Sequence, residues 1–308
     1  MVALPSLQQL RFLSALAEHR HFGRAAAACA VTQSTLSAGL QELEDRLGVR
    51  LVERSRRHVM LTPLGEEIVE RGRRLLRDAE DLAEAAKAGQ EPLSGPLRLG
   101  VIPTIGAYVI PGVMRGLAKA FPKLKLYLRE EQTGALLDKL EQGQLDLALI
   151  ALPYATSDFE IMVLGEDPIL VALPKTHGLA QEKRIAQEDL AGEALLLMED
   201  GHCLRSHALE ACRLAGPDRN EVFQGTSLKT LLQMAAGGIG ITLLPAMAAA
   251  TEITANSGLV ARSLEGEPVR QIALAWRRTS ARKSEFRTFG RYLETVLARG
   301  RERAKASS

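Results

Sequence analysis

The sequence predicts an α/β protein in three parts: a helix-turn-helix closed by a hairpin wing, one long helix, and a two-lobed region of alternating strands and helices. Three patterns predict it. Apolar residues recur at helical spacing through the first 47 residues, broken by a tight turn at Val31-Thr32. From Ile68 to Ala86 they step by four and three, the seam of a two-helix coiled coil. Beyond GQEPLSGP (Gly89 to Pro96), a linker by composition, apolar runs of strand length alternate with helical stretches.

In the first part, Leu10, Leu13 and Ala17 form one buried stripe starting from Ser6, and Gly23 to Ala28 reads as a second, short helix. Thr32 is placed to cap a third, whose buried stripe is Leu36, Leu40, Leu43 and Leu47. Its other face offers Thr32, Gln33, Ser34, Thr35, Ser37 and Gln41, short hydroxyl and amide side chains suited to phosphates and base edges in a major groove. LVERSRRHVMLT reads as a hairpin with Arg54, Arg56 and Arg57 at or beside its tip. Residues 1–60 carry eight Arg, no Lys and five acids, a net +3 that is modest for a DNA binder. DNA binding is favoured over a plain helical domain by the order of parts: tight turn, polar first turns, arginine hairpin. Thr62-Pro63 opens the long helix, whose seam of Ile68, Gly72, Leu75, Ala79, Leu82 and Ala86 asks for a partner and so for a dimer. The expected boundaries are 1–62, 63–92 and 97–303, the last split into lobe I (97–165 and 268–303) and lobe II (166–267).

In the third part, LRLGVIP, LKLYL and LDLALI with helices between them suggest a parallel sheet with crossover helices. PILVAL, ALLLM, GITLLP and QIALAW follow, then a final helix over about 284–299. Ligands in such folds sit beyond the carboxyl ends of strands, where Thr104 falls, although its hydroxyl would also serve as a plain cap. Gly237-Gly238-Ile239-Gly240 precedes a strand instead of joining strand to helix, so it reads as a helix stop and not a phosphate loop.

Two of the chain's three cysteines lie in EDGHCLRSHALEAC, Glu199 to Cys212. Asp200-Gly201 reads as a turn and LRSHALEACRLA as a helix, which sets Cys203 at a helix start beside His202 and Arg205, a setting that favours thiolate. On one helix, Cys203 and Cys212 would stand about 13 Å apart at ~1.5 Å rise per residue. A disulfide needs Cα atoms about 4.4–6.8 Å apart. Pairing would therefore require the helix to unwind. Two ordinary buried thiols, or metal ligation by His202, Cys203, His207 and Cys212, remain open readings at this point.

Composition is that of an ordinary soluble protein: 308 residues, 46% hydrophobic, 25% charged, formal net charge +2. The amino terminus lacks the separated charged and apolar regions of a signal peptide, and no apolar run approaches the ~20 residues that span a bilayer. The expected location is the cytoplasm, where cysteines stay reduced and disulfides are transient. Cys29, in an alanine-rich helix, reads as core packing.

FGRAAAACAVTQSTLSAGLQELEDRLGVRLVERSRRHVMLTPLGEEI resembles the winged helix-turn-helix of LysR-type transcriptional regulators, and GITLLP is similar to a segment late in their effector domain. EDGHCLRSHALEAC, VIPTIGAYVIPGVM and GTSLKTLLQMAAGGIGITLLPAMA resemble the peroxide-sensing members of that family. The resemblance implies a periplasmic-binding-protein-like effector domain and a regulator that switches oxidative-stress genes, with no cofactor and no metal. It makes Cys203 the peroxidatic cysteine and Cys212 the resolving one. Thr104 and Thr133 orient peroxide or its water, His202 and Arg205 neighbour the sulfur, and Arg277 approaches the site in the reduced state. The implied partners are double-stranded DNA at paired half-sites, hydrogen peroxide, further copies of the chain as dimer or tetramer, RNA polymerase, and a thiol reductant such as glutaredoxin or thioredoxin. No membrane is implied. One departure stands out: the family usually carries Asp-Gln after HCLR, and this chain has Ser206-His207. Loss of the carboxylate should favour thiolate, and a protonated His207 would add positive charge. Two rivals are a LysR-type sensor of a small organic anion held by Thr104 and Thr133, and a thiol peroxidase carrying a nucleic-acid module.

Overall fold

The computed structural model describes residues 4–54, 59–88, 93–211 and 221–306, and the chain divides into two compact units at Gln90/Glu91. In the first, α1 (Leu7–His19) starts with a capping box between Ser6 and Gln9. Next come α2 (Phe22–Ala28) and α3 (Gln33–Leu47), the latter capped by the Thr32 hydroxyl on the Thr35 amide. Leu13, Leu16, Leu36, Leu40 and Leu43 form the core, each buried side chain contributing about 1.5–3 kcal/mol. Strands β1 (Val52–Arg54) and β2 (Val59–Leu61) pair antiparallel, Val52 opposite Leu61. Buried Glu44 ties α3 to this hairpin by accepting from the Leu51 and Val52 amides at 2.7 and 3.0 Å. Helix α4 (Pro63–Ala88) follows, with Val69 buried and Leu75 and Leu82 exposed.

The second unit contains β3 (Gly95–Val101), α5 (Pro103–Ala120), β4 (Leu124–Glu130), α6 (Thr133–Glu141), β5 (Leu147–Leu152), β6 (Phe159–Pro174), β7 (Arg184–Ile185) and β8 (Leu195–Met198). After these come α7 (Cys203–Ala211), β9 (Glu221–Gly225), α8 (Leu228–Ala236), β10 (Ile241–Pro245), α9 (Ala246–Glu252), β11 (Leu259–Leu264), β12 (Val269–Arg277) and α10 (Lys283–Ala306). The strand order is β4-β3-β5-β12-β6-β10-β8-β9, with β11 paired to β6 and β7. The expected parallel sheet is in fact mixed: β3/β4, β3/β5, β8/β9 and β8/β10 are parallel, but β12 runs antiparallel to β5 and β6, and β6 antiparallel to β10 and β11.

The single strand β6 pairs with β12 through Pro168 and with β10 and β11 from Ile169 onward, and so belongs to two cores. One core gathers Leu97, Leu99, Leu149, Leu274, Trp276 and Phe289; the other gathers Val171, Leu173, Leu196, Leu231, Ile241 and Leu244. These are two lobes, with β6 and β12 carrying the chain between them. Gly237 ends α8 and β10 begins at Ile241, so the Gly237 to Gly240 segment is a helix stop.

Candidate functional site

Helix α7 lies between the lobes and presents different faces to each. Cys203 packs into the lobe I core, while Leu204 and Ala208 pack into that of lobe II. His207, one turn after Cys203, is buried and its Nε2 lies 3.0 Å from the Pro153 carbonyl of lobe I. The turn before the helix needs Gly201, whose φ is +91° and where a Cβ would stand 2.5 Å from the Gln132 side chain. Asp200 accepts from Arg205 Nε at 2.9 Å, and Arg205 Nη1 donates to the Met198 carbonyl at 3.1 Å. Arg205 therefore braces the turn, and a second charge acts on the sulfur.

That charge is Arg270, at the start of β12. Its side chain has 0% exposure, with Nη1 donating to Thr104 Oγ1 at 2.8 Å and Nη2 to the Thr104 carbonyl at 2.9 Å. Asp167 balances it, accepting from Nε at 3.0 Å through one oxygen and from the Met247 amide at 3.0 Å through the other. The expectation for Arg277 is corrected accordingly. Arg277 is at the far end of the same strand, donating to the Leu140 and Leu145 carbonyls at 2.8 Å each. Its guanidinium is thus engaged by a turn of lobe I. Thr133 lies beside Cys203, Arg270 ties Thr104 to the same site, and Thr104 serves as an acceptor for Arg270 instead of a side-chain cap.

Cys203 is 6% exposed. Burial pushes its thiol up, against the opposing pull of Arg270, the Thr133 hydroxyl, and the amides of Leu204 and Cys203 itself. The helix start is present and favours thiolate as expected, but desolvation outweighs it. Thr133 Oγ1, 1% exposed, has no hydrogen-bond partner besides the Cys203 sulfur among the described residues, so it can orient a small polar guest there. His202 and His207 are both shifted down, chiefly by burial, with Glu199 opposing at His202 and the Pro153 carbonyl at His207. The positive charge that a protonated His207 would add is disfavoured by this burial. Cys212 lies outside the described residues. Among the described residues no group of three or more His, Cys, Asp or Glu converges to hold a metal.

In the amino-terminal unit Gln33, Ser34 and Thr35 are exposed at the start of α3, and Ser37 and Gln41 are half-buried. The Thr32 hydroxyl is engaged by the cap and by the Ser34 and Thr35 hydroxyls, at 2.9 and 2.8 Å. Gln41 donates to Asp45 at 2.9 Å. Arg56, Arg57 and the Arg54 side chain lie outside the described residues. Cys29 packs partly buried against the helical core. No described helix is long and apolar enough to cross a membrane.

A three-helix unit with a hairpin, a long helix with exposed leucines and a two-lobed domain with a sensor-like crevice define a ligand- or redox-responsive DNA-binding regulator. Two family models match the chain: the bacterial regulatory helix-turn-helix of the lysR family over residues 7–66, and the LysR substrate binding domain over 90–298. The chain belongs to the LysR family of bacterial transcriptional regulators. It is 44% identical over 272 residues to the hydrogen peroxide-inducible genes activator of Dickeya chrysanthemi, covering 88% of this chain and 89% of that one. It is 40% identical over 299 residues to the regulator EstR of Acinetobacter baylyi, covering 97% and 99%. Its structure is similar to a full-length OxyR variant from Pseudomonas aeruginosa, with TM-score 0.79, 37% identity and 94% of each chain covered.

Proposed function

We propose that this chain is a peroxide-responsive, DNA-binding transcription regulator of the cytoplasm in which Cys203 is the group oxidised. The observation that carries the reading is the buried Thr133 hydroxyl, with no partner besides the Cys203 sulfur, at a site that also feels the charge of the Arg270-Thr104 pair. Hydrogen peroxide, a small donor and acceptor, fits such a setting. The Cys203 thiolate attacks one peroxide oxygen, the O–O bond breaks, and the departing oxygen takes protons to leave as water; the sulfur becomes a sulfenic acid. The Cys212 thiolate then attacks that sulfur and displaces a second water, leaving a disulfide. A thiol reductant of the thioredoxin or glutaredoxin class returns both thiols, and each cycle is one switching event, so the chain acts as a sensor and not as a peroxidase.

Closing the disulfide pulls Cys203 out of the lobe I core and breaks the α7 geometry that also seats Leu204 in lobe II. The lobes then repack, and copies of the chain joined through α4 rearrange the α3 helices and wing arginines on paired half-sites. RNA polymerase is the partner that reads this rearrangement at promoters. Peptide mass spectrometry after one equivalent of peroxide tests the chemistry. A Cys203-Cys212 linkage is expected, absent in Cys203→Ser, which should still bind DNA as the reduced protein does. A peroxide response undiminished in Cys203→Ser rejects the reading.

A further inference from the structure

Asp167 also lines a cavity of about 800 Å3 that does not include Cys203 and that the redox chemistry does not use. Its walls come from α5 and α10 of lobe I, α9 of lobe II and the residues of β6 where that strand passes between the lobes. Val109, Met247, Val296 and Leu297 supply an apolar interior. Arg115 and Arg299, both exposed, line it as well, and neither guanidinium has a carboxylate partner among the described residues. They belong to one region: a Cβ on Gly112 would stand 3.3 Å from Val296, one turn before Arg299, and 3.7 Å from Arg115. Glu166 and Asp167 also contribute to the lining, but the Asp167 carboxylate is already taken by Arg270 and the Met247 amide. The walls therefore keep an excess of positive charge beside an apolar interior. We infer that this cavity is a second ligand site, taking a small carboxylate with an apolar body, and that occupancy reaches Cys203 through Asp167 and Arg270.

The route is short and made of named contacts. Asp167 lines the cavity and holds Arg270, and Arg270 holds both the hydroxyl and the carbonyl of Thr104 and faces the Cys203 sulfur. A guest that touches α9 on one lobe and α5 and α10 on the other binds one arrangement of the lobes better than another, which is all that coupling requires. Binding stands independently of the peroxide chemistry; only the coupling rests on the reading of Cys203 as the oxidised group.

Calorimetric titration of the reduced full-length protein with phenylacetate tests the site, with benzylamine as the probe of opposite charge. Saturable binding of phenylacetate and none of benzylamine is expected. Arg115→Ala with Arg299→Ala should weaken it about 10- to 100-fold, the effect of losing charge-assisted hydrogen bonds, the double Lys variant should recover part of it, and Cys203→Ser should bind normally. Absence of saturable binding for both phenylacetate and octanoate, equal binding of benzylamine, or binding that survives the double Ala change overturns the site. A change of oligomeric state in the double Ala variant also overturns it, making the face an interface between copies. Saturating phenylacetate should alter the rate of thiol loss to peroxide by about 3-fold or more, an effect absent from the double Ala variant; an unchanged rate overturns the coupling. Binding intact in a chain whose Cys203 ignores peroxide would count against the proposed function and leave the site standing.

Discussion

Cys203 rests as a buried thiol at the start of a helix, so its reactivity depends on the few groups that draw the proton off. Thr133 is one that can be removed without emptying the core. Thr133→Val should slow thiol oxidation by peroxide about 10- to 100-fold by deleting a hydrogen bond to the charged form. Alkylation should take hold at higher pH than for the unfolded chain, because burial raises the folded thiol; a rate profile matching that of a free thiol would refute this. His202 and His207 give a second titration. Their folded values lie below the unfolded ones, so the unfolded chain binds more protons as pH falls through about 6.5. Stability is lost across that window and the loss levels off once the folded imidazoles protonate too. Urea midpoints at about pH 7.5 and about pH 5.5 should show the drop, and His207→Gln should shrink it. Cys203, Thr104, Thr133 and His202 could be named from the sequence because they fall in short motifs. Arg270 could not: its carboxylate partner is 103 positions away, and only the β12-β6 pairing brings them together. The resemblance gave the role to Arg277, whose side chain is held by the Leu140 and Leu145 carbonyls instead.

At the scale of elements, the helices were legible and the long strand was not. Spacing and caps locate α1, α3 and α4, since each apolar stripe and each capping residue is local in sequence. In contrast, β6 begins nine residues before the apolar run PILVAL, in FEIMVLGED, whose acids gave no strand signal and whose pairing with β12 is set by tertiary contact. The wing is held through Glu44, which reads as an ordinary surface acid of α3 until two backbone amides are seen pointing at it. Element junctions supply a sharper test. Gly201→Ala forces a side chain onto Gln132 at a left-handed φ and should cost about 1–3 kcal/mol, read as a lower denaturant midpoint.

For the whole molecule, the two-lobe plan was visible in chain length and in the alternation of runs, while the way the lobes are joined was not. Asp167 and Arg270 are the only buried ion pair in the crevice among the described residues, and removing one partner leaves the other charge stranded. Asp167→Asn should cost about 3–5 kcal/mol, measured by thermal or urea unfolding. Helix α4 exposes Leu75 at 52% and Leu82 at 74%, which is the apolar seam left without a cover within one chain. Leu75→Glu with Leu82→Glu should yield monomers in sedimentation and lower affinity for a paired operator by about 100-fold or more, as bivalent engagement is lost.

Helix α7 has one further consequence. Because it plugs lobe I with Cys203 while anchoring in lobe II through Leu204 and Ala208, no event at the sulfur can be confined to a surface loop. Withdrawal of that plug leaves a void in the lobe I core, and amide hydrogens of Leu147 to Leu152, whose side chains belong largely to that core, should exchange with solvent faster in the oxidised chain, far in sequence from the bond that formed.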